Sequence, residues 1–250
     1  MINDSRPGHW RRIADDTMAG VGPWPRQAEF DDLIVSSRVI GFFDESVEIK
    51  RGMFSNWYVN WRTLSSDVFM LDKVTDLIID FIRHTGVDPE CIYGVPDGAT
   101  KWAIVSQLKW ARSRPDYRQG AYAMPMGRSK PKEHGVPKDR FFVGEPRGRT
   151  LILEDVTVMG DSLVNVVNTL KAMHIEICAA MALTDRNERS AYGKSVRETL
   201  AALGVEYHAM SDAIGLLPKA FAASGASAEI GAKVEEEFRQ LGVKRLRLRR

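Results

Sequence analysis

The chain has 250 residues, 44% of them hydrophobic and 27% charged, with a formal net charge of +2. That is enough apolar material for a core without metal or disulfide staples, and the charge singles out neither nucleic acid nor a membrane surface as partner. No apolar run approaches the ~20 residues of a membrane-spanning helix. MINDSRPGHWRRIADD lacks the apolar centre of a signal peptide, so a soluble, cytoplasmic protein is expected.

Residues 1–28 mix Pro, Gly, Arg and Asp without periodicity and read as an N-terminal extension. Leu71, Val74, Ile78, Phe81 and Ile82 recur at helical spacing, and that helix should end before Gly86. CIYGV (91–95) is a buried-strand candidate followed by a Pro-Asp-Gly turn, and 99–112 reads as a helix. AYAMPM (121–126) is strand-like, and TLILEDV (150–156) is a stronger strand. Leu163, Val166, Val167, Leu170 and Met173 form the next helical stripe, and IEICAAMAL (175–183) the next strand. A helix near 193–203, the strand VEYHAM, and helices near 211–222 and 227–241 complete the pattern. The tail KRLRLRR suits a short edge strand or a solvated end. A nucleic-acid arm would need interleaved aromatics that it lacks. Cys91 and Cys178 sit in apolar runs as reduced core residues, at a spacing that makes no zinc motif.

Alternating strands and helices of this kind predict a parallel sheet covered on both faces, with ligands at the carboxyl ends of its strands. LILEDVTVMGDSL (151–163) is the most informative stretch. Its strand delivers Glu154 and Asp155, and the turn Thr157-Val158-Met159-Gly160-Asp161-Ser162 leads into a helix. Backbone N–H groups of such a turn form an anion nest, and Gly160 lets the backbone come close to a phosphate. Paired carboxylates beside the nest can accept hydrogen bonds from vicinal hydroxyls, a pattern suited to a ribose 5-phosphate. No GxxxxGK[ST] or GxGxxG is present.

This segment resembles the signature with which type I phosphoribosyltransferases bind 5-phosphoribosyl 1-diphosphate (PRPP). RSKPKEHG (128–135) resembles the mobile catalytic loop of the orotate phosphoribosyltransferases, matching at Arg128, Lys132, His134 and Gly135, with Lys130 beside the departing Ser129. LTDRNER (183–189) places Arg186 like the family arginine that holds the orotate carboxylate. IKRGMFSNWYVNWR (49–62) resembles the N-terminal family segment at Lys50, Gly52 and Ser55, with Asn56 in place of a proline and Tyr58 beside the base. Core packing is the alternative for Trp57 and Trp61. YGVPDGATKWAI (93–104) fits the pyrophosphate loop through Asp97 and Gly98, with Gly98 where a lysine is common and Lys101 three residues on. Val158 replaces a base-contacting threonine, and Asp161 puts a carboxylate where the family has a small neutral residue, so its side chain should point outward.

The resemblance implies an α/β fold with a central parallel sheet flanked by helices, a small N-terminal hood and a mobile basic loop, spanning 29–222 and followed by a C-terminal helix and basic tail (223–250). It implies transfer of phosphoribose from PRPP to orotate. Lys132, His134 and Arg128 would then act with Asp155 in catalysis. PRPP would lie on Glu154, Asp155, residues 157–162, Asp97, Gly98 and Lys130, and the base on Arg186, Lys50, Tyr58 and Val158. Mg²⁺ is the implied cofactor, bound mainly through substrate oxygens with Asp155 as the candidate protein ligand. A homodimer with the loop shared across subunits is the implied assembly. Another acceptor base, or a catalytically silent PRPP-binding regulator, are the competing readings.

Overall fold

In the computed structural model of the chain, residues 23–50, 52–134, 136–190 and 192–248 are described. The expected extension lies outside them up to residue 22. The residues from 23 onward are already part of the folded body: Trp24 is buried and its indole N–H donates to Asp80 at 2.8 Å. Helix α1 (Gln27–Ser36) follows directly.

Four short apolar segments build the central sheet. They are β3 (Cys91–Gly94), β6 (Thr150–Thr157), β7 (Ile177–Asp185) and β8 (Tyr207–Ala209), ordered β3-β6-β7-β8 with every pair parallel. Side chains alternate across each strand. Leu151 and Leu153 therefore join one core with helices α3 (Val68–Thr85) and α4 (Thr100–Arg112), while Ile152 joins the other with Leu163, Val167 and Leu170 of α5 (Asp161–Ala172). The helical stripe of α3 is as expected. Asp67 caps its start by accepting from the Met70 amide, and Gly86, at φ 74°, takes the left-handed position that ends it. Helix α6 (Val196–Ala202) opens on a Ser195–Glu198 capping box.

One expectation for a strand is corrected. Residues 121–125 form a turn and irregular chain, because Gly120 sits at φ 80° and Pro125 has no amide to give a ladder. Only Met126–Gly127 (β4) pairs, antiparallel with Phe142–Val143 (β5), at the base of the basic loop. Among the described residues the tail forms no strand. Leu246 is buried instead, and the Leu248 amide donates to Glu235 at 2.6 Å. Both cysteines are free, Cys91 buried and Cys178 only partly so.

The hood is an antiparallel hairpin of β1 (Ile40–Lys50) and β2 (Met53–Val59), followed by the single turn α2 (Trp61–Leu64). Its partners come from the far end of the chain. Phe42 meets Phe221 of α7 (Ala213–Ser224), and Trp57 stacks on Phe238 of α8 (Ala228–Leu241) with ring centroids 5.8 Å apart. No described helix is long and apolar enough to cross a membrane.

Candidate active site

The tips of β3, β6 and β7 converge, and the hood closes the side opposite, leaving a cavity of about 250 Å³. Glu154 and Asp155 form its acidic wall, only 7% and 8% exposed. Burial raises the pKa of both carboxyls. The neighbouring Asp155 charge pushes Glu154 further up, and Arg62 opposes the rise at each. The Pro-Asp-Gly turn packs against this pair. A Cβ at Gly98 would lie 2.3 Å from an Asp155 carboxylate oxygen, so no side chain fits there unless Asp155 moves. The lysine common at this position in the resembling pattern could not be accommodated. Asp97, expected on PRPP, is exposed and does not line the cavity; the turn presents Pro96 and Gly98 instead.

Thr157, Val158, Met159, Gly160, Asp161 and Ser162 all line the cavity. Gly160 adopts φ 80°, where a side chain would be strained and would press on Val196. Among the described residues, the amides of Val158, Met159 and Gly160 donate to no protein acceptor. The helix N-terminus of α5 stands directly behind them. The turn is open for an anion. Thr157 is held from beneath by a 2.6 Å hydrogen bond to the fully buried Tyr207 hydroxyl, and its carbonyl accepts from the Arg186 amide at 2.9 Å. Close by, burial lifts the Asp185 carboxyl to about 6, against the Asn187 amide that donates to it at 2.8 Å.

Asp161, expected to point outward, lines the cavity. Its carboxylate is more than half exposed and forms an ion pair with Lys50 of the hood. Lys50, expected beside phosphate or base, lines the cavity with its charge already matched by that pair. Tyr58 lines the cavity as expected, whereas Trp57 and Trp61 are fully buried, the core-packing alternative. Gly52 sits in the hairpin turn at φ 76°.

Arg186 lines the cavity, yet it is 1% exposed and stacked 3.7 Å over the Trp57 ring. Its Nε and one Nη2 proton donate to Glu188 Oε1 at 2.9 and 2.7 Å. Nη2 also donates to Ser55 Oγ at 3.1 Å, and Nη1 to the Trp57 carbonyl at 3.2 Å. The guanidinium is therefore not a free two-pronged fork: four of its five N–H groups are taken. Glu188, in the same quoted segment, was the signal passed over. Burial raises its pKa, and Arg186 pulls it back. Arg62 and Asn60 were also missed. Asn60 caps α2 by accepting from the Arg62 amide, which places the exposed Arg62 on the cavity wall.

The basic loop stands as an excursion between β4 and β5. Arg128 N donates to the Phe141 carbonyl and Lys132 N to that of Arg140, each at 2.9 Å. Lys130, Lys132 and His134 are exposed, Arg128 is half-buried, and none of the four lines the cavity of its own chain. Gly135 lies outside the described residues.

No family model matches the chain. It is 27% identical over 172 residues to an orotate phosphoribosyltransferase of Bradyrhizobium sp. (strain ORS 278), covering 66% of this chain and 84% of that protein. Its fold is similar to the crystal structure of the Francisella tularensis orotate phosphoribosyltransferase, with a TM-score of 0.61 at 16% identity over 86% of this chain and 99% of that one. The Mycobacterium tuberculosis enzyme, solved in complex with PRPP, matches with a TM-score of 0.53 at 17% identity over 77% and 99%. The chain has the type I phosphoribosyltransferase fold and is a relative of the orotate phosphoribosyltransferases.

Proposed function

We propose that the protein transfers the 5-phosphoribosyl group of PRPP to orotate, giving orotidine 5′-monophosphate and pyrophosphate. The observation that carries this reading is the buried Glu154–Asp155 pair beside a turn whose Val158, Met159 and Gly160 amides have no protein partner among the described residues. The 5′-phosphate lies in the turn 157–162, and the ribose hydroxyls donate to the two carboxylates. The ring nitrogen of the acceptor bonds to the anomeric carbon as the bond to pyrophosphate oxygen breaks, and the transition state carries oxocarbenium character. Arg186 and Tyr58 stand on the acceptor side of the cavity. Lys132, His134, Arg128 and Lys130 stabilise the leaving pyrophosphate. Since none of them lines the cavity of its own chain, we place the loop over the site of a partner subunit in a homodimer. The cytoplasm is the expected location of this chemistry.

The residues present fit Mg²⁺ as cofactor. The cavity wall carries Glu154, Asp155 and the ion-paired Asp161, and no described cluster of three or more ligating side chains could cage a metal. A hard cation would take oxygens of substrate and water, with Asp155 as protein ligand. When bound, it would neutralise charge on the diphosphate.

Orotate depletion with PRPP and Mg²⁺ tests the reading directly, and a panel of other bases tests the acceptor. Binding of PRPP with no pyrophosphate released for any base would sink it. Asp155→Asn is expected to lower kcat/KM for PRPP by about 10²-fold, the scale of a lost charge-assisted hydrogen bond. Unchanged PRPP kinetics would remove the diol assignment. The raised carboxyls also give a pH signature. Hydroxyl donors and Mg²⁺ favour the ionised acids, so PRPP·Mg²⁺ binding releases protons, and affinity falls as pH falls into the raised titration range of Glu154 and Asp155. Calorimetry in buffers of different ionisation heat reads this, and proton uptake would contradict it.

A further inference from the structure

The C-terminal helix reaches the acceptor side of the site through one carboxylate. Glu237 of α8 accepts from the Ser55 hydroxyl at 2.6 Å and from the Asn56 amide at 2.7 Å, across 182 and 181 residues of chain. Asn56 stands where the resembling pattern has a proline. A proline would have no amide to offer, so this contact is built on a departure from that pattern. The side chain of Asn56 adds to it by donating to the carbonyls of Phe43 and Asp44 in β1.

Proton bookkeeping sets the direction of the network. Ser55 has one hydroxyl proton, and Glu237 takes it. The Ser55 oxygen is thereby left as an acceptor, and it receives Arg186 Nη2 at 3.1 Å and the Trp57 amide at 3.2 Å. Ser55 is 2% exposed and Arg186 1%, so neither can exchange these partners for bulk water. Glu188, Ser55 and the Trp57 carbonyl fix the guanidinium on three sides. Among the described residues one Nη1 proton is left without a protein partner, at a residue on the cavity wall.

We propose that Glu237 is a positioning residue for the acceptor: by fixing the Ser55 hydroxyl as an acceptor it locks the Arg186 plane, so that one charge-assisted N–H, rather than a two-pronged fork, meets the base. This rests on the reading of Arg186 as the acceptor-side residue. Glu237→Gln keeps size but removes one of two acceptors, and the amide's own protons then compete with the Ser55 hydroxyl.

The experiment compares Glu237→Gln, Ser55→Ala, their double variant and Arg186→Ala, measuring KM for orotate, Kd for PRPP by calorimetry, and melting temperature. The expected result is a rise of roughly ten-fold in orotate KM for Glu237→Gln, the scale of one hydrogen bond to a charged group, with PRPP Kd unchanged. The double variant should match Ser55→Ala alone, since both act through one hydroxyl. If Glu237→Gln does not fold, Ser55→Ala carries the same expectation. Equal losses for orotate and PRPP would mean a general packing role and overturn the proposal. So would a full effect of Arg186→Ala with none from Glu237→Gln or Ser55→Ala. If Arg186→Ala itself leaves orotate KM unchanged, the acceptor-side reading falls, and the proposal with it.

Discussion

Gly98→Ala should lower kcat/KM for PRPP by at least about 10²-fold, the usual consequence of moving a binding group by an ångström. The methyl would sit 2.3 and 2.4 Å from the two carboxylate oxygens of Asp155, too close for either to stay. Asp155 is buried among the strand tips and lines the cavity, so to yield it must move into the space of the substrate. Overpacking of this kind also costs about 1–3 kcal/mol of stability. Thermal melting of Gly98→Ala against the double variant with Asp155→Ala separates the two effects. Removing the carboxylate should restore melting while leaving activity lost. A Gly98→Ala enzyme with ordinary PRPP kinetics would mean that Asp155 does not hold the sugar in its present place.

Lys132→Ala should cut kcat by about 10²–10³-fold, the range for a lost electrostatic stabiliser of a developing anion, with little change in PRPP affinity. Its side chain is exposed and away from its own cavity, so the free protein loses nothing in folding. Mixing Lys132→Ala subunits with Asp155→Asn subunits tests the placement of the loop. If the loop serves a partner, a mixed dimer pairs both defects at one site and leaves the other intact, so activity returns. If it serves its own chain, both sites stay defective.

The sheet was legible because its strands are buried on both faces and read as unbroken apolar runs; β6 keeps Thr150–Asp155 buried throughout. The acids at its end and the glycine after them announced the site for the same reason: little else places charge at the end of such a run. The hood was illegible as a hairpin. Its first strand exposes most of its side chains, and a register shift between Phe42 and Val47 breaks any alternation. Residues 121–126 misled in the opposite sense, since apolar content there outweighed the proline that prevents pairing. Arg186 was found by its local motif, but its state was not. Two of its partners, Ser55 and Trp57, lie 131 and 129 residues away, beyond any local pattern. Arg62 lacked a signal of its own and is placed by the cap at Asn60.

The hood hairpin takes its apolar backing from α7 and α8, at the opposite end of the polypeptide. During synthesis the strands of the central sheet therefore emerge before the helices on which its roof rests. Closure of these distant pairings is slow compared with local helix formation. In a nascent chain the floor precedes the ceiling, and competence to receive the base would come only after Ala228–Leu241 emerge.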